Sequence, residues 1–320
     1  MFKDVSQQPK SSAANFSVLD DVIDTLRFRG SIFFHSDLAA PWGMSLSSIS
    51  TPRFHIALEG GFYIGTGEEP VAVKPMEIIM LPDGGMHWIA DEANRDLVPS
   101  ESAGEACDLG TPLFQQGDIT NRLMCGVVEY NAAIAHPIVS ALPAIFHLSN
   151  IEHGDSIWTT VMQIDAEIQR LGSRSNPIVD RLTEVLFIQL LHKYFRENEH
   201  LTGFLAALQE PRLEKVLKLI HSNPETQWTL DSFSHEVGMS RSTLQRKFKA
   251  GLGVSPMTYL NRWRMAKAYQ MLTYSSLSLH GVADAIGFSD ARTFRAAFLR
   301  HYGYTPSALR KRTDGTINPR

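Results

Sequence analysis

The chain has 320 residues, 43% of them hydrophobic, which is enough for two domains of ordinary size. Its two cysteines, Cys107 and Cys125, exclude a disulfide-dense secreted scaffold. Neither a signal-peptide core nor an apolar run of about 18 residues occurs, so we expect a cytoplasmic protein that does not enter membranes. The net charge of −4 conceals an asymmetry, because residues 209–320 carry 17 Lys and Arg against 8 Asp and Glu, whereas residues 1–208 carry 13 against 26. A basic segment joined to an acidic one favours DNA binding by the basic part.

The first part of the chain is predicted to be β-structure preceded by one short helix. Residues 1–15 are polar and predicted to be disordered, and the apolar residues between Val18 and Leu26 recur at helical spacing. From Gly30 to Met80 the apolar residues instead alternate with other residues, in short segments separated by turns that contain glycine or proline. This pattern is typical of antiparallel strands joined by hairpins, and it predicts a small β-barrel or sandwich.

An acidic stretch follows between Asp91 and Asp118, with Arg95 as its only basic residue. We interpret it as a surface loop, because such a composition rarely forms a packed core. Residues 122–130 return to strand character and are predicted to close the barrel. Cys125 is interpreted as a buried core thiol, and a redox-sensing role for Cys107 or Cys125 is the alternative.

Two helices are predicted next, over residues 157–171 and 178–195. The second is apolar on nearly all sides and therefore needs cover on more than one side. A homodimer contact through residues 178–195 is our preferred interpretation, and cover by the helix at 157–171 is the alternative. The predicted domains are, in order, a disordered N-terminus at 1–15, a first domain at 16–200, a linker at 201–211, a second domain at 212–312 and a tail at 313–320.

The second domain contains one pattern twice. The repeated positions are Leu230, Ser234, Gly238 and Phe248, which recur about 50 residues later as Leu279, Ala283, Gly287 and Phe298. Each copy predicts a helix-turn-helix, with the turn at the glycine and a capped second helix that begins at Ser240 in the first copy and at Ser289 or Asp290 in the second. The predicted fold class is α+β in two domains, an antiparallel β-barrel with C-terminal flanking helices and then an all-α domain of two helix-turn-helix motifs.

Residues 209–312 resemble the DNA-binding domain of AraC-type bacterial transcription regulators. The matching segments are GMSRSTLQRKF at 238–248, SPMTYL at 255–260, RM at 264–265 and GYTPS at 303–307. The resemblance implies that Ser242, Gln245 and Arg246 contact bases. Two positions depart from the family pattern, because Ser234 stands where alanine is usual and Ala296 stands where the second recognition helix usually has arginine.

The helical spacing predicts which side chains of the two recognition helices face DNA. Leu244 and Phe248 form the buried stripe of the first, and the side chains left exposed are Arg241, Ser242, Gln245, Arg246 and Lys249. Arginine pairs with guanine and glutamine with adenine in the major groove, so this face suits base contacts. The exposed candidates of the second helix are Asp290, Arg292 and Arg295, beside the short side chains Ala291 and Ala296. We therefore predict that the second helix binds phosphates more than bases.

Residues 18–210 resemble, more loosely, the cupin-type sensor domain of a subset of AraC-type regulators. The resemblance lies in residues 40–43, 53–60, 75–87, 123–126 and 135–137. It implies a small-molecule effector inside the barrel, and the candidate effector-binding residues are His55, Glu59, Tyr63, His87 and Trp88. Arg53 stands where cupin enzymes usually have the first histidine of a metal-binding pair, so we predict no metal and no cofactor. A metal held by His55 and His87, with Glu59 or Glu77, is the alternative.

These features predict a sequence-specific DNA-binding transcription regulator that responds to an effector. Its expected partners are double-stranded DNA, a second copy of the chain, a small-molecule effector and RNA polymerase. The rival hypothesis is a metal-dependent cupin enzyme with a DNA-binding appendage, and an architectural DNA-binding protein without an effector is the third. No other acid–base or nucleophile constellation supports the enzyme hypothesis.

Overall fold

A computed structural model describes residues 12–67, 69–109, 111–134, 136–172 and 176–316. The chain divides into two compact units. The sheet unit consists of Phe28–Tyr130 and Leu142–Glu199, and the helical unit consists of the chain up to Arg27, Asn131–Ala141 and the chain from His200 onward. Within the described ranges, no helix combines the length and the apolar character needed to cross a membrane.

Strands predominate up to Leu148, and helices predominate after it. The strands are β1 Arg29–Ala39, β2 Gly43–Leu46, β3 Arg53–Glu59, β4 Phe62–Gly65, β5 Val71–Val73, β6 Ile78–Leu81, β7 His87–Ala90, β8 Val98–Pro99, β9 Ile119–Glu129 and β10 Phe146–Leu148. The helices are α1 Ser12–Leu26, α2 Ser100–Asp108, α3 Pro137–Ala141, α4 Ser156–Leu171, α5 Pro177–Glu197, α6 Gly203–Gln209, α7 Pro211–Ser222, α8 Leu230–Val237, α9 Arg241–Leu252, α10 Pro256–Tyr274, α11 Leu279–Ala285, α12 Ala291–Tyr302 and α13 Pro306–Thr316, with a 3-10 turn at Ala132–Ile134.

The sheet unit contains two five-stranded sheets, one in the order β1-β9-β3-β6-β10 and the other in the order β5-β4-β7-β2-β8. The strand pairs are antiparallel except for β2 and β8, which run parallel. Side chains of both sheets share one apolar core, including Ala57, Ile79, Leu123 and Cys125 from the first and Met44, Phe62, Ile64 and Ile89 from the second. The predicted antiparallel β-structure is confirmed as a pair of sheets that face each other.

The two predicted helices of the sheet unit pack on the first sheet. α4 packs against α5, and α5 lies against β1 and β9. Gly30 allows this close approach, because a Cβ at that position would lie 2.4 Å from Cγ2 of Thr183. The first sheet is therefore buried on both faces, with Phe54 and Ile56 on the side opposite the shared core, each at most 1% exposed.

The helical unit contains both predicted helix-turn-helix motifs, α8–α9 and α11–α12, joined by α10. α1 packs against α6, α7 and α10, and it buries Val18, Leu19, Val22 and Leu26 almost completely. The predicted N-terminal helix is thus confirmed, and it belongs to the helical unit although it comes first in the chain. The segment Asn131–Ala141, which follows β9 and precedes β10, also belongs to this unit.

Four stretches differ from what their sequences suggest. The acidic stretch, interpreted as a loop, contains β8 and α2, and Ala103 of α2 is buried in the core of the sheet unit. The linker predicted at 201–211 contains α6, whose residues Phe204 and Leu208 are fully buried. α13 continues to Thr316, so it includes the start of the predicted tail. α1 begins at Ser12, within the stretch predicted to be disordered, and residues 1–11 and 317–320 lie outside the described residues.

Candidate functional sites

The first helix-turn-helix is defined by caps at both of its helices. The Thr229 side chain accepts the Ser232 backbone N–H, and the Ser232 hydroxyl oxygen accepts the Thr229 backbone N–H, which forms a capping box. Gly238 has φ 60°, a conformation that favours glycine, and it ends α8. Ser240 then accepts the Thr243 backbone N–H and begins α9, as predicted.

The recognition helix α9 presents a polar face above a buried stripe. Leu244 and Phe248 are fully buried, and the side chains left exposed are Arg241, Ser242, Gln245, Arg246 and Lys249. Arg241 forms an ion pair with Asp231 at the start of α8, so its guanidinium already has a partner within the motif. Gln245 and Arg246, one helical step apart, remain as exposed side chains that match the hydrogen-bonding edges of adenine and guanine.

The second motif repeats this arrangement with different surface chemistry. Asp290, and not Ser289, is the N-cap of α12, because its carboxylate accepts the Thr293 backbone N–H at 2.7 Å. This bond and that from the Thr293 hydroxyl lower the pKa of Asp290. Asp290 was predicted among the DNA contacts, and the structure gives it a capping role. Phe294 and Phe298 are buried, whereas the remaining predicted contacts of this helix, Arg292 and Arg295, are exposed.

The two motifs are connected through a buried arginine of α10. Arg264 donates from Nε to the Pro224 carbonyl oxygen at 2.7 Å and from Nη2 to the Thr226 carbonyl oxygen at 2.8 Å. Gln227 in the same loop donates to the Gly287 carbonyl oxygen at 2.7 Å, at the turn of the second motif. One loop therefore fixes α10 to the second turn, which makes the spacing of the recognition helices a property of a rigid unit.

Two of the five predicted effector-binding residues meet in the core of the sheet unit. His87 donates its Nδ1–H to the Gly85 carbonyl oxygen at 2.8 Å, so its Nε2 is the acceptor in the neutral ring. His55 therefore donates its Nε2–H to His87 Nε2, at 2.8 Å. Burial lowers the pKa of both rings, and the Arg53 charge lowers both further. His55 Nδ1 is buried and has no hydrogen-bond partner among the residues that the structure describes.

The other three predicted effector-binding residues lie elsewhere. Tyr63 and Trp88 alternate with the core residues of their strands, so they point to the opposite face of the second sheet, where Trp88 covers Gly65. Glu59 is mostly exposed and pairs with Arg122 at 3.1 Å. The structure therefore brings His55 and His87 together and does not bring Glu59, Tyr63 or Trp88 to them.

The same histidines are the candidate metal ligands. Among the described residues, no group of three or more His, Cys, Asp or Glu side chains has the arrangement of a metal site. Glu77, named as a third ligand, instead accepts hydrogen bonds from His147 and from the Lys74 backbone N–H. A metal at His55 and His87 would also have to displace the hydrogen bond between them. The residues present do not fit a cupin metal centre.

A cavity of about 190 Å³ opens into the sheet unit, and neither histidine lines it. Two of its lining residues are close to His55 in the first sheet, since Cys125 is paired with His55 and Arg53 precedes it by two residues on β3. Its walls are mainly apolar, and its polar groups come from Arg53 of β3 and from Ser100 and Glu101 of α2. Arg53 donates from Nη1 to the Ser47 carbonyl oxygen at 2.7 Å, while its buried Nε has no partner in the described chain. Burial lowers the pKa of Arg53. Sequence reasoning treated Arg53 only as a missing histidine, although a half-buried arginine on the core face of a strand is itself a sign of a ligand site.

Of the two cysteines, Cys125 is the one whose side chain the structure describes. Cys125 is 1% exposed and lines this cavity, and burial raises the pKa of its thiol. Cys125 belongs to the apolar core that the two sheets share, so its interpretation as a buried core thiol is confirmed. The side chain of Cys107 lies outside the described residues.

Comparison with known proteins decides the family. Residues 17–196, more than half of the chain, match the family model described as "Cupin", and residues 233–312 match the "Helix-turn-helix domain" model. The chain belongs to the AraC-type transcription regulators with a cupin N-terminal domain. It is a DNA-binding regulator of transcription, and double-stranded DNA is its partner.

Several relatives resemble this AraC-type regulator over nearly their whole length. The HTH-type transcriptional regulator AlkR of Acinetobacter baylyi is 25% identical, over 92% of this chain and 99% of its own. The HTH-type transcriptional regulator MtrA of Neisseria gonorrhoeae is 26% identical, over 92% and 98%. Among solved structures, a transcriptional regulator with an AraC-type DNA-binding domain from Chromobacterium violaceum is 32% identical, over 32% of this chain and 93% of that one, with a TM-score of 0.31.

Proposed function

We propose that this regulator is a homodimeric switch in which an organic effector, bound inside the sheet unit, controls DNA binding by the helical unit. The proposed sensor, predicted at 16–200, is the sheet unit without α1 and Asn131–Ala141, and the proposed double helix-turn-helix domain, predicted at 212–312, is the helical unit, which also includes α6 of the predicted linker 201–211. The protein acts in the cytoplasm, and its output is exerted on RNA polymerase. The effector works by binding the DNA-competent and incompetent arrangements with different affinity, typically by about 1–3 kcal/mol.

The observation that supports sequence-specific DNA binding is that each recognition helix has one buried apolar face and one exposed polar face. Leu244 and Phe248 anchor α9, so Ser242, Gln245 and Arg246 face away from the core as the proposed base contacts. Arg292 and Arg295 of α12 are proposed as phosphate contacts. Footprinting of the purified protein on genomic fragments, followed by sequencing of the bound DNA, tests this. We expect a site with two contacted segments about one helical turn apart, whereas uniform protection of any fragment would contradict sequence-specific binding.

The effector site is proposed in the cavity lined by Arg53 and Cys125, together with His55, which pairs with Cys125 in the sheet, and His87, which is hydrogen-bonded to His55. The cavity has the mostly apolar wall and few polar groups that suit the orientation of a small molecule. The test is a reporter strain that carries Arg53→Gln, His55→Ala or His87→Ala, with the metal content of each purified protein measured alongside. We expect each of the three substitutions to change the effector-dependent expression of the reporter. We expect no stoichiometric metal in any of the purified proteins.

The same experiment separates this proposal from the metal-dependent enzyme. Stoichiometric metal in the wild type that disappears in both His55→Ala and His87→Ala would contradict the organic effector and favour the enzyme. A wild-type response that none of the three substitutions alters would place the effector elsewhere. Glu59→Gln is the matched control, because Glu59 is exposed and paired with Arg122, away from the cavity.

The dimer is proposed through the part of α5 that α4 and β1 leave uncovered. Ile178 and Val185, two turns apart on one side of α5, are 49% and 44% exposed, with the half-exposed Leu182 between them. An apolar row of this kind on an otherwise covered helix suits a second copy of the same helix. Val185→Glu should shift the full chain from dimer to monomer in sedimentation at micromolar concentration. Met162→Glu, equally exposed on α4, is the control, and a wild type that sediments as a monomer would contradict the dimer.

A further inference from the structure

A second cavity lies entirely within the helical unit. Its volume is about 280 Å³, and its walls come from the segment Asn131–Ala141, from α10 and from the recognition helix α12. Its position is separate from the cavity of Arg53, since the two share no lining residue. A volume of this size, just below that of pockets for drug-sized ligands, suits a molecule with a single ring.

The wall of this cavity is aromatic and rigid. The rings of His136, Tyr259, Trp263 and Tyr302 line it, and Tyr259 and Trp263 are almost completely buried. His136 accepts the Ile138 backbone N–H at its Nδ1, so its Nε2–H is donated to the Tyr259 oxygen at 3.0 Å. The Tyr259 O–H is then donated to His221 Nε2 at 2.9 Å. These bonds hold the ring faces in place, and ordered aromatic faces favour a flat apolar ligand.

The lining of the cavity carries one permanent positive charge, that of Arg262. His301 adds an imidazole, and none of the described lining residues is Asp or Glu. Trp263 Nε1 and the Tyr302 hydroxyl have no hydrogen-bond partner among the described residues, but both atoms lie within the wall and not on the surface of the cavity. A ligand that supplies negative charge matches the arginine.

We propose that this cavity binds a small aromatic carboxylate, with its ring between the aromatic side chains and its carboxylate at Arg262. The ligand touches the recognition helix α12 and the segment that leads from β9 to β10, so its binding favours one arrangement of these elements. The site is distinct from the effector site proposed in the sheet unit, and either can exist without the other.

The test uses the full-length protein without DNA, with 4-fluorobenzoate and its uncharged analogue 4-fluorobenzamide as probes in fluorine NMR. We expect 4-fluorobenzoate to bind at least about tenfold more tightly than the amide, because a charge-assisted hydrogen bond contributes at least that factor. Arg262→Gln should weaken the benzoate by a similar factor and leave the amide nearly unchanged. Ala133→Trp, at an exposed lining position, should fill the cavity and abolish binding of both probes.

Arg300→Gln is the matched control, because Arg300 belongs to the neighbouring groove on α12 and does not line this cavity. It should leave benzoate binding unchanged. No benzoate binding by the wild type, or binding that Arg262→Gln does not weaken, overturns the proposal. If Arg53→Gln abolishes benzoate binding and Arg262→Gln does not change it, the probe binds in the sheet unit. This result also overturns the proposal. If the wild type does not bind benzoate and Arg262→Gln lowers the affinity for DNA, then Arg262 is a phosphate contact and the proposal is overturned.

Discussion

His55 Nε2 lies 2.8 Å from His87 Nε2, and this hydrogen bond joins the two facing sheets of the sheet unit. His55 is on β3 of the first sheet and His87 on β7 of the second. Because His87 already donates its other nitrogen to Gly85, a proton added at His87 Nε2 keeps the bond between the rings only if His55 moves its own proton to Nδ1. In either arrangement the added proton places a positive charge in the core. Burial therefore favours the neutral form of the pair.

We expect the sensor to lose stability as the pH falls. The pKa values of His55 and His87 lie below 6.5 in the folded chain and near 6.5 in the unfolded chain, so the unfolded chain binds more protons between these values. The free energy of unfolding therefore decreases on acidification below 6.5, by about 1.4 kcal/mol per pH unit for each histidine. Urea unfolding at about pH 7 and about pH 5 measures this. His55→Gln/His87→Gln should reduce this slope without abolishing it, because burial also lowers the pKa of His136 and of His221 in the helical unit. The exposed His153→Gln should leave the slope unchanged. Equal slopes in all three proteins would refute the assignment.

The turn of the second motif should tolerate substitution less than that of the first. Gly238 and Gly287 have φ 60° and 76°, so alanine at either position incurs backbone strain of about 1–2 kcal/mol. A Cβ at Gly238 meets no atom within 4 Å, whereas a Cβ at Gly287 would lie 2.3 Å from the Glu225 carbonyl oxygen. Gly287→Ala should therefore reduce the free energy of unfolding by about 1–3 kcal/mol more than Gly238→Ala. Thermal unfolding of the two variants provides the comparison, and equal losses would show that the contact at Glu225 is easily relieved.

Ser234 should be replaceable by the alanine that is usual at its position. Its hydroxyl is buried and has no hydrogen-bond partner within the described ranges. On folding, this hydroxyl loses its hydrogen bonds to water and gains none in return. Ser234→Ala should raise the free energy of unfolding by up to about 1 kcal/mol. Ser232→Ala, two residues earlier on the same helix, should lower it by about 0.5–2 kcal/mol because it removes the capping box. Opposite signs for the two serines are the expected result; destabilisation by Ser234→Ala would mean that the hydroxyl has a partner.

Arginines on the two recognition helices should differ in their effect on DNA binding. Arg246→Ala should cost about 1–3 kcal/mol on the operator and relax base preference at one or two positions. Arg292→Ala should weaken binding to all sequences and lower the salt slope by about 1. Binding assays on operator variants at several salt concentrations measure both effects. A shift in base preference in Arg292→Ala but not in Arg246→Ala would reverse the assignment.

Much of the helical unit could be predicted from the sequence because its signals are local. Ser240 and Gly238 fix one motif through a cap and a turn, each of which depends only on nearby backbone. The choice between Ser289 and Asp290 as the second cap required coordinates, since both side chains can accept the same N–H. α2 was missed because, among its described side chains, Ala103 is the single buried apolar one and produces no helical period.

The sensor site was less predictable because it depends on contacts between distant strands. Period two indicates that His55 and Phe54 point to opposite faces of β3, but both faces of that sheet are buried, so alternation could not assign the inner one. The cavity required Arg53, Glu101 and Cys125 to meet from β3, α2 and β9. No spacing within the sequence contains that information, because it follows from strand register and from the packing of α2.

The segment Asn131–Ala141 has a consequence for any attempt to exchange sensors among regulators of this kind. It starts after β9 and returns to β10, while its His136 is hydrogen-bonded to Tyr259 of the helical unit. A gene fusion with a single junction near residue 200 would therefore transfer only the C-terminal part of the helical unit. It would leave behind both the segment Asn131–Ala141 and α1, which belong to that unit. Phe204, Tyr259 and Trp263 would lose the cover of His136 in such a chimera. A functional exchange must therefore keep residues 12–27 and 131–141 from the same protein as the helical unit. Because these residues flank and interrupt the sheet unit, the segment that can be exchanged without loss is nearly the whole chain.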